Sequence, residues 1–248
     1  MREKEDKIAL FIDCDNISYR SIDGIINELS KYGVVNIRQA YGNWTKDNLK
    51  NWQDKLLEYA IKPIQQFDYS KSKNATDILM TIDTIDLLHT KDIDYFAFAT
   101  SDSDFTPVVM RLLAQGIKVF GFGEQKTPKP FIAACSQFIY TEQLMQDNRL
   151  DKKENATKAK TKKIKKELIS DKWLVDLLYL SVEQTADDYG WANLADVGTY
   201  INNSTSFSPI NYGYKKLSSL IKDIELFDIA YDEVSKIMTI RDKRFLNN

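Results

Sequence analysis

The sequence predicts a doubly wound α/β fold with a mostly parallel sheet, followed by a small second domain. Two observations predict the sheet: short, continuously apolar runs recur along residues 1–147, and stretches with helical spacing lie between them. Strands that are buried on both faces and separated by helices form parallel sheets. A third observation, a lysine-rich segment at 148–167, separates this first part from residues 168–248.

Strands and helices alternate along the first part. The predicted strands are the apolar runs "IALFI" (8–12), "VVNIRQAYG" (34–42), "IKPIQQF" (61–67), "YFAFA" (95–99), "KVFGFG" (118–123) and "FIYT" (138–141). Four helices are predicted from apolar residues that share one helical face: Ile22/Ile25/Ile26/Leu29, Trp52/Leu56/Leu57, Ile78/Ile82/Ile85 and Val108/Val109/Leu112/Leu113. Ligands of such sheets bind at the carboxyl ends of the strands, near the point where the strand order reverses.

The lysine-rich segment contains "DKKENATKAKTKKIKKE", which has almost no large apolar side chains. Its lysines repel one another, so we interpret residues 148–167 as a linker. Solubility and contact with a polyanion such as nucleic acid explain these lysines equally well. Residues 168–248 have three helical stretches and then two strand-like runs, which predict a winged-helix domain.

Composition excludes several classes of protein. No apolar run approaches the roughly 20 residues that a membrane helix needs, and no cleavage-site pattern follows "MREKEDK". We therefore expect a cytoplasmic protein without a membrane partner. Cys14 and Cys135 are too few for a disulfide framework and lack the spacing of a zinc site. The net charge of −2 argues neither for nor against a nucleic-acid partner.

Acidic residues follow two of the predicted strands. Asp13 and Asp15 end the first strand in "FIDCDN", and Asp102 and Asp104 follow the fourth in "FATSDSDF". The carboxyl ends of these strands can be neighbours in a parallel sheet, which would bring the four carboxylates to one edge. A turn or capping role is the alternative for Asp15, for Asp104 and, further along the chain, for Asp83, each taken singly.

A helix that starts near "KNATDILMTID" adds further acids. Asp77 lies in its first turn, and Asp83 lies about 120° round the helix from Asp77, so Asp77 is the better ligand candidate. Clustered carboxylates need a compensating cation, and oxygen ligands without histidine or cysteine favour Mg²⁺ or Mn²⁺. Such a site can activate water for attack on a phosphodiester.

Candidate substrate contacts lie in both parts of the chain. Asn16 could cap the first helix or orient a water, and Ser101, like Thr100, could close a turn, touch a phosphate or hold an aspartate. Lys73 precedes the acidic helix. In the second part, Lys215 and Lys216 beside Tyr214 offer charge and a stacking surface for RNA, although an amphipathic helix also needs solvated lysines.

The first part resembles the NYN family of PIN-like nuclease domains, in its bacterial LabA/DUF88-like branch. The resemblance rests on "LFIDCDNI", "KNATDILMTID", "ATSDSDFTPVVMRLLAQGIKVFGFG" and "TPKPFIAACSQFIYTE". It implies that Asp13, Asp77, Asp102 and Asp104 form an acidic metal pocket lined by Asn16 and Ser101, with Asp83 at a further acidic position. Ser103 stands where the family usually has a glycine.

The second part resembles a LOTUS (OST-HTH) domain, in "GWANLADVGTYI" and "YGYKKLSSLIKDIELFDI". This resemblance implies binding of RNA or of a protein partner. Together the two resemblances predict a metal-dependent ribonuclease that acts on RNA, single-stranded RNA in particular. Two alternatives stay open: a non-catalytic adaptor with a nuclease-like fold, and a phosphatase of the haloacid dehalogenase type, whose first motif "DCDNI" imitates.

Overall fold

The computed structural model describes residues 5–67, 74–90, 92–150, 165–232 and 236–245, without the side chains of 146–150. The chain divides into two compact units, Met1–Arg149 and Leu150–Asn248. Each unit has its own cluster of buried apolar side chains. Within the described ranges, none of the helices combines the length and the apolar character that crossing a membrane requires.

The first unit is built on a six-stranded parallel sheet, which confirms the predicted α/β fold. In chain order its strands are β1 (Lys7–Asp13), β2 (Val34–Gly42), β3 (Lys62–Gln65), β4 (Tyr95–Ala99), β5 (Lys118–Gly123) and β6 (Gln137–Tyr140). Their order across the sheet is β3-β2-β1-β4-β5-β6. The order therefore reverses between β1 and β4, which is where ligands of doubly wound sheets bind.

Helices connect the strands of the first unit. They are α1 (Ile22–Leu29), α2 (Gln53–Glu58), α3 (Ala75–Thr90), α4 (Thr106–Leu113), α5 (Lys129–Ala134) and α6 (Thr141–Leu150). The first four of these helices were predicted from the sequence, and α5 and α6 were not. The core below α3 and α4 is aromatic: the ring of Phe11 on β1 stacks against Phe96 and Phe98 on β4 and against Tyr41 on β2. This packing fixes the two central strands side by side.

The predicted apolar face of α3 is only partly right, because Ile85 packs against the core whereas Ile78 and Ile82 do not. Ile78 and Ile82 are 59% and 51% exposed, whereas Met80 is fully buried, along with Thr76 and Thr84. The hydroxyl of Thr84 donates to the carbonyl of Met80 at 2.7 Å, so this polar side chain is buried with its hydrogen bond satisfied. The buried stripe of α3 therefore follows a spacing of four that includes threonine.

Two smaller corrections concern α2 and α4. Leu57, at the end of α2, is exposed, although Trp52 just before that helix is buried. On α4, Val108, Val109 and Leu112 are buried as predicted, while Leu113 is exposed. In both helices the residue at the C-terminal edge of the apolar face lies outside the core.

The second unit combines helices with a three-stranded antiparallel sheet. Its elements are α7 (Lys172–Thr185), β7 (Trp191–Asn193), α8 (Leu194–Ser204), α9 (Leu217–Ile224), β8 (Phe227–Tyr231) and β9 (Met238–Asp242). The carboxylate of Asp171 accepts from the Leu174 amide at 3.1 Å and caps α7. The three predicted helices and the terminal hairpin are present, and the short strand β7 was not predicted.

Candidate active site

Two acidic segments meet at the carboxyl edge of the first sheet. β1 ends at Asp13, β4 ends at Ala99, and the parallel pairing sets Ile12 opposite Ala99. The prediction that the first and fourth strands are neighbours is therefore confirmed. The segments that follow them, which carry Asp15 and Asp102, begin at the same edge.

Asp13 is the most deeply buried of the candidate acids, with 1% of its surface exposed. Its Oδ2 accepts from Asn16 Nδ2 at 2.7 Å and from Thr100 Oγ1 at 2.8 Å. Burial raises the pKa of Asp13, and these two hydrogen bonds offset part of that rise because they favour the carboxylate. The side chain is thus held in one position by both strand ends.

Thr100 links the two acidic segments directly. Its hydroxyl donates to Asp13 and accepts from the backbone amide of Asp102 at 3.1 Å. Asp102 in turn accepts from the amide of Asp104 at 2.9 Å through Oδ1 and so caps a short 3₁₀ turn at Ser103–Phe105. Asp104 itself is exposed. Of the two hydroxyl residues Thr100 and Ser101, Thr100 is the one that holds an aspartate, which is one of the three roles that the sequence left open for them.

Asp77 lies in the first turn of α3 and faces the same cluster. Its pKa is raised to about 7, first by burial and then by the negative charges of Asp13, Asp102, Asp104 and Asp15. These four charges act on Asp77 only because the carboxylates lie near one another. The fold thus brings together five acids that are distant in the sequence.

Asp15 and Asp83 have other partners. Asp15 is exposed, and its Oδ2 lies 3.9 Å from Nζ of Lys46. Oδ2 of Asp83 lies 2.8 Å from the hydroxyl of Tyr41, whose pKa is raised by burial and by this carboxylate. Asp83 is therefore hydrogen-bonded to a side chain of β2, while Asp15 lies beside the loop that follows β2.

The acidic cluster has oxygen ligands of the kind that bind a cation, but its side chains are not arranged as a complete set of metal ligands. Across the part of the chain that the structure describes, no three histidine, cysteine or acidic side chains are arranged to hold a metal ion. The donors that converge are all carboxylate oxygens, and burial together with their mutual repulsion raises the pKa of Asp77. Both properties fit a hard divalent cation, which would compensate the charge.

The polar candidates of the first unit have structural partners. Asn16 donates to Asp13, and Ser18 rather than Asn16 caps the helical turn that follows. The hydroxyl of Ser101 accepts from the amide of Glu124 at 2.9 Å and so supports the loop after β5. Lys73 lies outside the described residues.

In the second unit, the predicted RNA surface is only partly exposed. Lys215 and Lys216 are exposed, but Tyr214 is half-buried against the core of the unit. Burial and the neighbouring Asp223 raise the pKa of Tyr214 to about 12. Tyr212 stacks against Phe207, so its ring also packs within the unit. The lysines are presented to solvent, while the rings beside them stabilise the fold.

Sequence reasoning missed two residues near the acids, Lys46 and Tyr41. Tyr41 ends a predicted strand and looked like an ordinary core residue. Lys46 follows the same strand within "GNWTK". Its position just after a strand that neighbours β1 was the available signal, because that position reaches the same edge of the sheet.

Comparison with known proteins finds two domain families and individual proteins to which this chain is similar. Residues 7–144 match the NYN domain and residues 157–238 match the OST-HTH/LOTUS domain. An uncharacterized protein of Methanocaldococcus jannaschii is 30% identical over 172 residues, which is 67% of each chain. The crystal structure of a protein of unknown function from Vibrio parahaemolyticus is 19% identical and covers 56% of this chain and 96% of its own, with a TM-score of 0.47.

The family match spans the acidic edge. NYN domains are PIN-like nuclease domains, and OST-HTH/LOTUS domains are known for RNA binding. The matched range extends from β1 to α6 and contains every candidate acid. This chain therefore belongs to the NYN domain family, and its NYN domain is followed by an OST-HTH/LOTUS domain.

Proposed function

We propose that this protein is a Mg²⁺- or Mn²⁺-dependent ribonuclease that hydrolyses phosphodiester bonds of single-stranded RNA at the acidic edge of its first sheet. The observation that carries the proposal is the convergence of Asp13, Asp77, Asp102 and Asp104 at the reversal point of the strand order. Membership of a nuclease family supports the same reaction class.

Asp13 has a different part in the proposed site from the other three acids. Asp13, fixed by Thr100 and Asn16, would supply a rigid carboxylate at the floor of the site. Asp77, Asp102 and Asp104 would complete the ligand set, with Asp15 and Asp83 at its border. When bound, a divalent cation at these oxygens lowers the pKa of a water and neutralises charge on the phosphate.

The second unit would hold RNA or a protein partner. The RNA-binding character of OST-HTH/LOTUS domains supports the first role, with Lys215 and Lys216 as exposed cations. The partly buried Tyr214 would contribute an edge of its ring more readily than a full stacking face.

The test compares RNA cleavage by three forms of the full chain: the parent protein, an Asp13→Asn/Asp102→Asn variant, and Asp92→Asn. Asp92 is an exposed control, paired with Lys7 at the opposite end of β1. We expect the parent and Asp92→Asn to cleave labelled single-stranded RNA with Mg²⁺ or Mn²⁺. The double variant should lose about a hundredfold or more, since it removes several kcal/mol of charge stabilisation.

Other results would select another function. Equal cleavage by all three forms would place the activity at a different site. Absence of cleavage with retained RNA binding in all three would identify a non-catalytic adaptor, and a covalent phosphate trapped on Asp13 would identify a phosphatase.

A further inference from the structure

A buried hydrogen bond joins the helix α3 to the strand β2. The hydroxyl of Tyr41 on β2 donates to Oδ2 of Asp83 on α3 at 2.8 Å, and Tyr41 is fully buried. The same hydroxyl lies 2.9 Å from Oε1 of Gln39. A tyrosine hydroxyl has one proton, and a carboxylate is a stronger acceptor than an amide oxygen. The bond to Asp83 is therefore a firm link between the helix layer and the sheet.

The sheet end of this link is fixed beside Asp13. β2 pairs with β1 in parallel, with Tyr41 opposite Asp13. The carbonyl of Tyr41 accepts from the amide of Cys14 at 3.0 Å, and its ring stacks on Phe11 of β1 with the centroids 6.0 Å apart. Backbone and ring of Tyr41 are thus both held against the strand that carries Asp13.

The helix end of the link sits on the element that carries Asp77. Asp83 follows Asp77 by six residues on α3, which is about 9 Å along the helix axis. An α-helix bends little over such a length. A bond that fixes Asp83 against β2 therefore also fixes the first turn of α3, and with it Asp77, relative to Asp13.

Asp83 itself stands apart from the clustered acids. After burial, the charges that raise the pKa of Asp77 are those of Asp13, Asp102, Asp104 and Asp15. Asp83 is not one of these four. It lies about 120° round the helix from Asp77, and its Oδ2 accepts from a tyrosine of β2. These contacts are those of a side chain that anchors the helix.

We infer that Asp83 is a positioning residue, which acts through Tyr41 to hold Asp77 beside Asp13 and is not itself an oxygen ligand of the cation. The inference rests on the proposed ribonuclease function, because it concerns the same site. Loss of the Tyr41–Asp83 bond should weaken the affinity of the site for a divalent cation. At saturating Mn²⁺ it should lower kcat more than it raises KM for RNA, since neither side chain touches the substrate.

The test measures Mn²⁺ affinity of the full chain by calorimetry at about pH 8, above the pKa of Asp77. Tyr41→Phe removes only the hydroxyl, Asp83→Ala removes the acceptor, and Asp83→Asn keeps an acceptor oxygen without the charge. Tyr32→Phe is the matched control. The hydroxyl of Tyr32 donates to Oε1 of Gln137 at 2.9 Å, and Gln137 begins β6, at the end of the sheet opposite the acids.

We expect Tyr41→Phe and Asp83→Ala each to weaken Mn²⁺ affinity about tenfold, as loss of a group that orients metal ligands does. The double variant should be no weaker than either single variant, because both changes remove the same bond. Asp83→Asn should keep most of the parent affinity, and Tyr32→Phe should match the parent. Thermal melts check each fold, and Tyr41→Phe with Asp83→Asn decides the test if Asp83→Ala does not fold.

Parent-like Mn²⁺ affinity in Tyr41→Phe would overturn the inference. So would an Asp83→Asn variant that loses as much affinity as Asp83→Ala, because Asp83 would then act as a ligand. A parent that binds Mn²⁺ without cleaving RNA, together with weakened binding by Tyr41→Phe, would refute the ribonuclease and leave the positioning role in place. A parent that takes up no Mn²⁺ would overturn both.

Discussion

The fold changes the charge state of Asp77. Its pKa is raised to about 7, so the folded protein keeps a proton that the unfolded chain releases near pH 4. The free energy of unfolding of the metal-free protein should therefore be highest below about pH 4 as far as this group is concerned. It should fall as the pH rises through about 7.

Asp77→Asn removes this pH dependence. Above about pH 7 we expect the variant to be more stable than the metal-free parent by about 1–2 kcal/mol, a value reduced for solvent screening. Urea denaturation between acid and neutral pH measures the difference. Asp86→Asn, on the exposed side of the same helix, is the control and should follow the parent. A parent whose stability changes across this range by the same amount as that of Asp77→Asn would contradict the prediction.

Several site residues could be predicted from the sequence because strand ends are visible in it. Asp13 and Asp102 follow the apolar runs "IALFI" and "YFAFA", and parallel strands bring such ends to one edge. Which of Thr100 and Ser101 contacts Asp13 could not be predicted. Successive side chains at the end of a strand point in opposite directions, and only the structure shows that Thr100 faces Asp13 while Ser101 faces Glu124.

At the level of elements, α3 offers a direct test of which face supports the core. Met80→Ala should lower the free energy of unfolding of the first unit by about 2–5 kcal/mol, because it removes a fully buried side chain. Ile82→Ala, on the same helix, should change it by no more than about 0.5 kcal/mol. Urea denaturation of both variants measures these values. Equal losses of stability would show that the face with Ile82 supports the core as much as the face with Met80.

The face of α3 was predicted only in part because its sequence has apolar residues on more than one side. Ile78, Ile82 and Ile85 satisfy the helical spacing, and so do Thr76, Met80 and Thr84 if threonine is accepted in the core. Threonine is accepted there when its hydroxyl bonds to the preceding turn, as Thr84 does. Helical spacing alone is therefore compatible with two different buried faces of α3. With the face that the protein buries, Asp77 lies toward the acidic edge.

At the level of the whole molecule, two separate cores predict two separate unfolding transitions. Leu178 is fully buried in the core of the second unit, and Leu180 on the same helix is exposed. Leu178→Ala should lower the stability of the second unit by about 2–5 kcal/mol and leave the transition of the first unit in place. Calorimetry of the full chain measures both transitions, with Leu180→Ala as the control. A single transition that Leu178→Ala shifts as a whole would show that the units unfold together.

The pairing of β1 with β4 has a further consequence for how the protein is made. A ribosome must deliver β2, β3 and α3 before the partner of β1 leaves the exit tunnel, since all three lie between these strands in the chain. Until then the nascent chain has β1 with one open side, the kind of unpaired apolar strand that promotes aggregation. Products truncated before β4 would lack Asp102 as well as that partner, so premature termination yields a protein with neither the complete sheet nor the complete proposed site.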